Sequence, residues 1–158
     1  MSAADPALYA PTVTEFAVPA DLSWNQGPVT DPEGLVAERG AASWLFLCGT
    51  EFAAEGGLSY EQVQRAIDTS VNVPSDPPRD LDLDIARAQI AALDELPRPT
   101  LVTCRAGPRS SATVYLYAGL QAGATADEVL ARADDDGAPF AAHEAYRAWV
   151  TEGLTQLG

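Results

Sequence analysis

The stretch PTLVTCRAGPRSSATVYL, from Pro99 to Leu116, decides the fold because it joins a strand pattern to a helix pattern. Leu101 to Thr103 is a short apolar run of the kind found in buried strands. A turn with one cysteine, two arginines, a glycine and a proline follows it. A helix is then predicted over residues 112–121, before Gly123. A strand, a tight turn and a helix in succession favour an α/β fold.

The rest of the chain continues this alternation. Further strands are predicted at residues 16–18, 22–24, 43–48 and 71–73. Further helices are predicted at residues 32–39, 59–68, 80–95, 125–133 and 139–157. We expect a mostly parallel sheet with right-handed crossovers, in one domain over residues 16–158 after a loose lead-in at residues 1–15.

Composition excludes several classes of function. The 158 residues are 47% apolar, which suits one domain with a real core. The formal net charge is -14 and every cation is an arginine, so nucleic acid and anionic membranes are unfavourable partners. The N-terminus lacks the pattern of a secretory signal, and no apolar run approaches the roughly 20 residues of a membrane span. We expect a cytoplasmic protein.

The turn after the fourth main strand combines features that favour a reactive sulfur. Cys104 ends a strand just before a helix N-terminus, where backbone N–H groups lack helical partners and can bind an anion. Gly107 permits a backbone conformation that lets several N–H groups converge. Arg105 and Arg109 add positive charge that favours the thiolate. Such a nucleophile in an anion-binding turn would attack a tetrahedral anionic substrate.

A purely structural interpretation of this turn is the alternative. Cysteine is commonly buried, and the two arginines would then form surface ion pairs. Two arginines and a glycine so close to one cysteine, at a strand-to-helix junction, favour the functional interpretation. Ligands of parallel α/β sheets lie at this edge, beyond the carboxyl ends of the strands.

The motif CRAGPRSS resembles the active-site loop of cysteine-dependent phosphatases and rhodaneses. Its spacing, Cys-x-x-Gly-x-Arg-Ser, is one residue shorter than the usual protein phosphatase loop. That shorter form is typical of rhodaneses and also of the beta-lactamase-hydrolase-like phosphatases. Two longer stretches, NQGPVTDPEGLVAERGAASWLFL and SVNVPSDPPRDLDLDIARAQIAALDELPRPTLVTCRAGPRSSA, are similar to that last family, so the resemblance covers roughly residues 20 to 133.

The resemblance implies a protein-tyrosine-phosphatase-like fold of the dual-specificity type. This is a three-layer α/β arrangement with a four- or five-stranded, mainly parallel sheet flanked by helices. It also implies that Cys104 is the nucleophile and that Arg109 binds the oxyanion. The substrate-binding turn would comprise Arg105, Ala106, Gly107, Pro108, Ser110 and Ser111. Thr103 stands where phosphatases often have histidine, and the shorter turn suits a single sulfur as well as a phosphate.

A phosphatase also needs a proton donor for the leaving oxygen, usually an aspartate on a separate loop. Asp76, in the segment PSDPP after the third main strand, stands where the family carries that loop. Asp80 and Asp82 are the next candidates. Aspartate is also common in turns, so a structural role for Asp76 is the alternative. A rhodanese needs no such acid.

Other polar residues have weaker patterns. Cys48 ends a predicted strand and is either a buried apolar residue or a redox partner that traps an oxidised Cys104 as a disulfide. Glu51 and Glu55 border a glycine-rich loop and either shape substrate choice or are solvated charges. His143 is the sole histidine and is best explained by packing or surface exposure. One histidine and two separated cysteines give no metal-ligand cluster, and no cofactor is predicted.

Three functions remain open from the sequence. The first is a cysteine-dependent phosphatase acting on a phosphomonoester, either a small molecule or a phosphoprotein, through a thiophosphate on Cys104. The second is a rhodanese-like sulfurtransferase that carries a persulfide on Cys104 and takes a sulfur-containing anion. The third is a non-catalytic, anion-binding regulatory module on the same fold. The sequence does not determine the oligomeric state.

Overall fold

Four short parallel strands form one sheet. The structure is a computed structural model that describes residues 15–158, so nearly all of the predicted lead-in, residues 1–14, lies outside the described residues. The strands are β1 (Leu22–Trp24), β2 (Ser43–Phe46), β3 (Ser70–Asn72) and β4 (Thr100–Thr103). Their spatial order is β1-β4-β2-β3, so β2 and β4 are the central strands and β1 and β3 the edges.

Helices separate the strands along the chain and cover both faces of the sheet. Within residues 15–158 they are α1 (Pro32–Arg39), α2 (Thr50–Ala54), α3 (Tyr60–Ala66), α4 (Leu83–Glu95), α5 (Pro108–Ala122), α6 (Ala126–Asp136) and α7 (Glu144–Leu157). A 3-10 turn, Pro139–Ala142, precedes α7. The α/β class and the parallel sheet flanked by helices, both expected from the sequence, are confirmed. The sheet has four strands, and every pairing in it is parallel.

Alternate residues of the central strands face opposite layers, as the twofold period of a strand requires. Trp44 and Leu101 pack in a buried cluster with Val63 of α3. Leu45 and Val102, one position further along each strand, pack in a different cluster with residues of α4 and α5. The two central strands are therefore buried on both faces, which explains why their sequences are continuous apolar runs.

Helix α5 runs through the core directly after the Cys104 turn. Residues 110–119 of this helix are all buried. The sequence prediction that this helix begins at Ala112 is wrong, since Pro108 occupies its first turn. The N–H group at the first position of a helix has no partner within the helix, so proline, which lacks that group, loses no hydrogen bond there. Its ring also fixes φ at a helical value. The early start places Arg109 and Ser110 in the first helical turn.

Smaller differences have local causes. The short helix α2 was not predicted, because five residues give too little periodicity to recognise. Residues 134–136, predicted as a loop, continue α6 until Gly137, which ends it in the left-handed conformation. Residues 16–18 do not form a strand. The last predicted helix divides at His143 into the 3-10 turn and α7.

Candidate active site

Cys104 lies one residue beyond the central strand β4, at the carboxyl edge of the sheet, and is 5% exposed. The backbone N–H groups of Gly107 and Ser110 donate to its Sγ atom at 3.0 and 3.3 Å. The hydroxyl oxygen of Ser110 lies 3.5 Å from the same sulfur. Amide donors that converge on sulfur stabilise its ionised form. The predicted turn therefore places helix N-terminal amides around the predicted nucleophile.

Gly107 is the residue that makes this turn possible. Its φ angle is +120°, in the region that residues with a side chain rarely adopt. A Cβ atom built on it would lie 2.4 Å from the backbone oxygen of Asn25. Backbone conformation and close packing both require glycine here.

Asn25 holds the Cys104 turn and was not identified from the sequence. Its Oδ1 atom accepts from the N–H of Cys104 at 3.1 Å and from the hydroxyl of Ser110 at 2.8 Å. Its Nδ2 atom donates to the carbonyl of Cys104 at 2.9 Å and to that of Gly27 at the same distance. Asn25 is 2% exposed, so these bonds are shielded from water. The available signal was its position directly after β1, at the edge where ligand sites form.

Two further residues of the predicted substrate-binding turn, Ala106 and Ser111, form hydrogen bonds with other parts of the fold. Ala106 is exposed, and its carbonyl accepts from the N–H of Gly27 at 2.8 Å. The hydroxyl of Ser111 accepts from the N–H of Phe140 at 3.1 Å and donates to the carbonyl of Pro108. Ser111 therefore connects α5 to the 3-10 turn, and its hydroxyl is used within the fold.

Arg109 reaches from the first turn of α5 to the loop that follows β3. Its Nη1 atom donates to the backbone carbonyl of Ser75, the residue before Asp76. The guanidinium also lies over the ring of Tyr146, 5.4 Å from the centroid. The ring of His143 is 5.5 Å from that tyrosine, so the sole histidine lies behind the aromatic neighbour of Arg109.

Asp76 is 1% exposed and joins three segments at the same edge. Its Oδ1 accepts from the N–H of Gly49 at 2.8 Å and from Arg79 at 3.2 Å. Its Oδ2 pairs with the guanidinium of Arg105 at 3.0 Å. The structure thus brings this predicted acid to the Cys104 turn through Arg105, with both carboxylate oxygens acting as acceptors.

The other two candidate acids are placed differently. Asp82 is exposed, and its side chain caps α4 by accepting from the N–H of Ile85 at 2.9 Å. Asp80 is exposed on the loop before that helix. Neither placement offers the contact with the Cys104 turn that Asp76 has.

Two glutamates and two arginines extend this polar cluster outward. Arg105 pairs with Glu55 at 3.0 Å and lies over the ring of Phe52 at 4.9 Å. Arg79 pairs with Glu51 at 3.1 Å. Burial acts to lower the pKa of Arg105, but its hydrogen bonds with Asp76 and Glu55 outweigh burial and raise it. Both glutamates singled out from the sequence therefore lie beside the site.

Cys48 lies two residues beyond β2 and is 1% exposed. Burial raises the pKa of its thiol, and the negative charges of Asp76 and Cys104 raise it further. Both cysteines are free thiols. A redox partnership between them stays a prediction. Within residues 15–158 no group of three or more potential ligands is arranged to hold a metal, and no helix there could cross a membrane.

Several solved structures with the same fold are named as phosphatases. A provisionally named phosphatase (DUF442) from Shewanella putrefaciens CN-32 is 22% identical, with a TM-score of 0.61 over 90% of this chain and 91% of that one. A second provisionally named phosphatase, from Neisseria meningitidis Z2491, is 17% identical, with a TM-score of 0.65 over 87% and 96% of the two chains. The core catalytic domain of the PP-IP phosphatase SIW14 from S. cerevisiae is 15% identical, with a TM-score of 0.60 over 90% and 83%.

At these identities the likeness shows a shared fold. No family model matches the sequence, and no curated protein matches it either.

Proposed function

We propose that this chain is a cysteine-dependent phosphatase that hydrolyses a phosphomonoester through a thiophosphate on Cys104. The observation that carries the proposal is the pair of backbone N–H groups, from Gly107 and Ser110, directed at Sγ from 3.0 and 3.3 Å. The fold shared with proteins named as phosphatases supports it. Within the cysteine phosphatases, the loop CRAGPRSS favours the beta-lactamase-hydrolase-like group.

In the first step the Cys104 sulfur attacks phosphorus, forming the S–P bond while the bond to the leaving oxygen breaks. The amides of the turn and the fork of Arg109 would hold the equatorial oxygens, where negative charge is greatest. For this, Arg109 exchanges its bond to the Ser75 carbonyl for bonds to the phosphoryl group. Water then attacks phosphorus, the S–P bond breaks, and phosphate leaves with the thiolate restored.

Asp76 is our proton donor for the leaving oxygen, and its carboxylate would take the proton back from the attacking water. Both of its oxygens accept N–H bonds in the structure, so the oxygen that takes the proton must give up the bonds it accepts: those from Gly49 and Arg79 at Oδ1, or that from Arg105 at Oδ2. The variant Asp76→Asn tests this role when it is assayed on two substrates with different leaving groups. If Asp76 is the proton donor, the variant should lose much of its kcat for an alkyl phosphate and little of its kcat for p-nitrophenyl phosphate. Equal losses for both substrates would assign Asp76 to structure alone.

The function itself is tested by three assays on one preparation. We expect hydrolysis of p-nitrophenyl phosphate that vanadate inhibits. Arg109→Lys should lower kcat/KM by about a hundredfold, because lysine keeps the charge but loses the planar fork. Thiocyanate formation from thiosulfate and cyanide, without phosphatase activity, would instead establish the sulfurtransferase. Phosphate binding without either activity would establish the non-catalytic module.

The proposed substrate is a phosphorylated small molecule or a phosphoprotein. The nucleophile must stay a free thiol to act, and both cysteines are free. We therefore place the protein in the cytoplasm, a reducing compartment.

A further inference from the structure

Three arginines lie in or beside the Cys104 turn, and two of them form ion pairs with carboxylates. Arg79 pairs with Glu51 at 3.1 Å and with Asp76 at 3.2 Å. Arg105 pairs with Asp76 and Glu55, each at 3.0 Å. This cluster of two arginines and three carboxylates has a net charge of -1 with Asp76 ionised and of 0 with Asp76 protonated as the proposed proton donor, so in either state it presents no spare positive charge to an anion.

Arg109 is the exception. Its contacts are a neutral carbonyl, that of Ser75, and a neutral ring, that of Tyr146. Among residues 15–158 no carboxylate forms an ion pair with it. The site therefore offers one unmatched guanidinium together with the amides of the turn, which is enough for a single phosphoryl group.

Hydrogen bonds favour the charged forms of Glu51 and Arg105 beside the turn. Hydrogen bonding with its own backbone, and then with Arg79, lowers the pKa of Glu51. Burial acts to lower the pKa of Arg105, but the hydrogen bonds that it donates to Asp76 and Glu55 raise it. Glu55 is exposed and Glu51 is partly exposed, so both side chains border the turn, on a chain whose formal net charge is -14.

We infer that the site selects phosphomonoesters that carry one phosphate on an otherwise neutral or positively charged carrier, and disfavours multiply phosphorylated substrates. A second phosphate beside the first would meet Glu51 and Glu55, or would have to displace them from Arg79 and Arg105. Either course costs interaction energy at short range, where charges are least screened. The inference rests on the proposed function, because it takes the Cys104 turn as the phosphate site.

Protection of Cys104 from alkylation tests this inference without requiring turnover. Iodoacetamide labelling of Cys104 is followed by mass spectrometry in rising concentrations of orthophosphate or of tripolyphosphate. We expect orthophosphate to protect at a concentration about tenfold lower than tripolyphosphate, since the longer anion brings additional charge to the two glutamates. The double variant Glu51→Gln/Glu55→Gln should reverse or abolish that preference, because it leaves only Asp76 to pair with the two arginines and removes both carboxylates that the longer anion would meet.

The double variant Glu95→Gln/Glu152→Gln is the matched control. It removes the same net charge from exposed positions at the end of α4 and on α7, and should keep the preference for orthophosphate. Because Glu51 also supports Arg79, the single variant Glu55→Gln, at the more exposed position, gives a second measurement that should weaken the preference on its own.

The outcomes separate the two proposals. Better protection by tripolyphosphate in the native protein, or an equal shift in the control variant, would overturn the selectivity while leaving the phosphate site in place. Protection by neither anion would overturn the phosphate site, and the proposed function with it. Protection by orthophosphate without hydrolysis of p-nitrophenyl phosphate would overturn catalysis while the selectivity stands.

Discussion

The turns after Cys48 and Cys104 occupy equivalent places in the sheet and give their sulfurs opposite surroundings. Both cysteines follow central strands at the same edge, both are buried, and both precede a helix. After Cys104, the amides of Gly107 and Ser110 point at the sulfur. After Cys48, the N–H of Gly49 donates to Asp76, and burial followed by nearby negative charge raises the thiol pKa.

The difference shows that a strand end does not by itself make a nucleophile. Helix α5 has 15 residues and is preceded by Gly107, whose positive φ lets the amides at the helix start point at the sulfur. Helix α2 has 5 residues, and its N-cap amide serves a carboxylate on another loop. The direction of the amides at each helix start decides which sulfur receives N–H donors.

The largest expected effect separates the two cysteines by activity. Cys104→Ser should lower hydrolysis of p-nitrophenyl phosphate by at least about a thousandfold, because the hydroxyl is a far weaker nucleophile than the thiolate at neutral pH. Cys48→Ala should retain kcat within a few-fold. Steady-state kinetics on both variants, with circular dichroism to show that each is folded, measures the contrast. A comparable loss in Cys48→Ala would contradict the assignment.

The next effect concerns reactivity at the two sulfurs. At pH 7 iodoacetamide should label Cys104 on the order of a hundredfold faster than Cys48, since the raised pKa of Cys48 keeps it protonated and only the thiolate reacts. Labelling of Cys48 should become appreciable only as the pH rises well above neutral. Peptide mapping by mass spectrometry gives both rates on one sample, and equal rates at pH 7 would remove the distinction.

The smallest expected effect concerns Asn25, whose hydrogen bonds hold the Cys104 turn. Asn25→Ala removes the bonds to the N–H and carbonyl of Cys104 and to the Ser110 hydroxyl. Unfolding should become easier by about 1–3 kcal/mol, and kcat/KM should fall roughly tenfold, because buried polar groups lose their partners and the amides lose their alignment. Denaturant unfolding and kinetics check both. In Asp21→Ala, an exposed matched control before β1, neither value should change.

Much of the fold could be predicted from the sequence because the patterns that mark its helices and strands are local. The helix predicted at residues 32–39 is observed as α1, where Asp31 caps the start, Pro32 occupies the first turn and Gly40 ends the helix in the left-handed conformation. The central strands were readable as apolar runs because both faces are buried. Helix α2 gave no such signal, since five residues are stabilised mainly by what surrounds them.

The candidate site was only partly accessible to sequence reasoning. The turn from Cys104 to Ser110 is contiguous, so its chemistry is visible in one motif. The contacts of Asn25 with Cys104, and of Arg105 with Asp76 and Glu55, join residues far apart in the chain. No spacing rule predicts which side chain at a sheet edge will find which partner, and only the assembled topology shows it.

The sheet order has a consequence for how catalysis responds to motion. The two central strands carry the cysteines, whereas Asn25 follows the edge strand β1 and Asp76 follows the opposite edge strand β3. Edge strands of three residues are the parts of a sheet most prone to fraying. If β1 detached briefly, the Cys104 turn would lose its hydrogen bonds to Asn25. If β3 detached briefly, the site would lose Asp76. The core would remain intact in both cases. Amide hydrogen exchange in β1 and β3 should therefore track loss of turnover on warming, ahead of global melting.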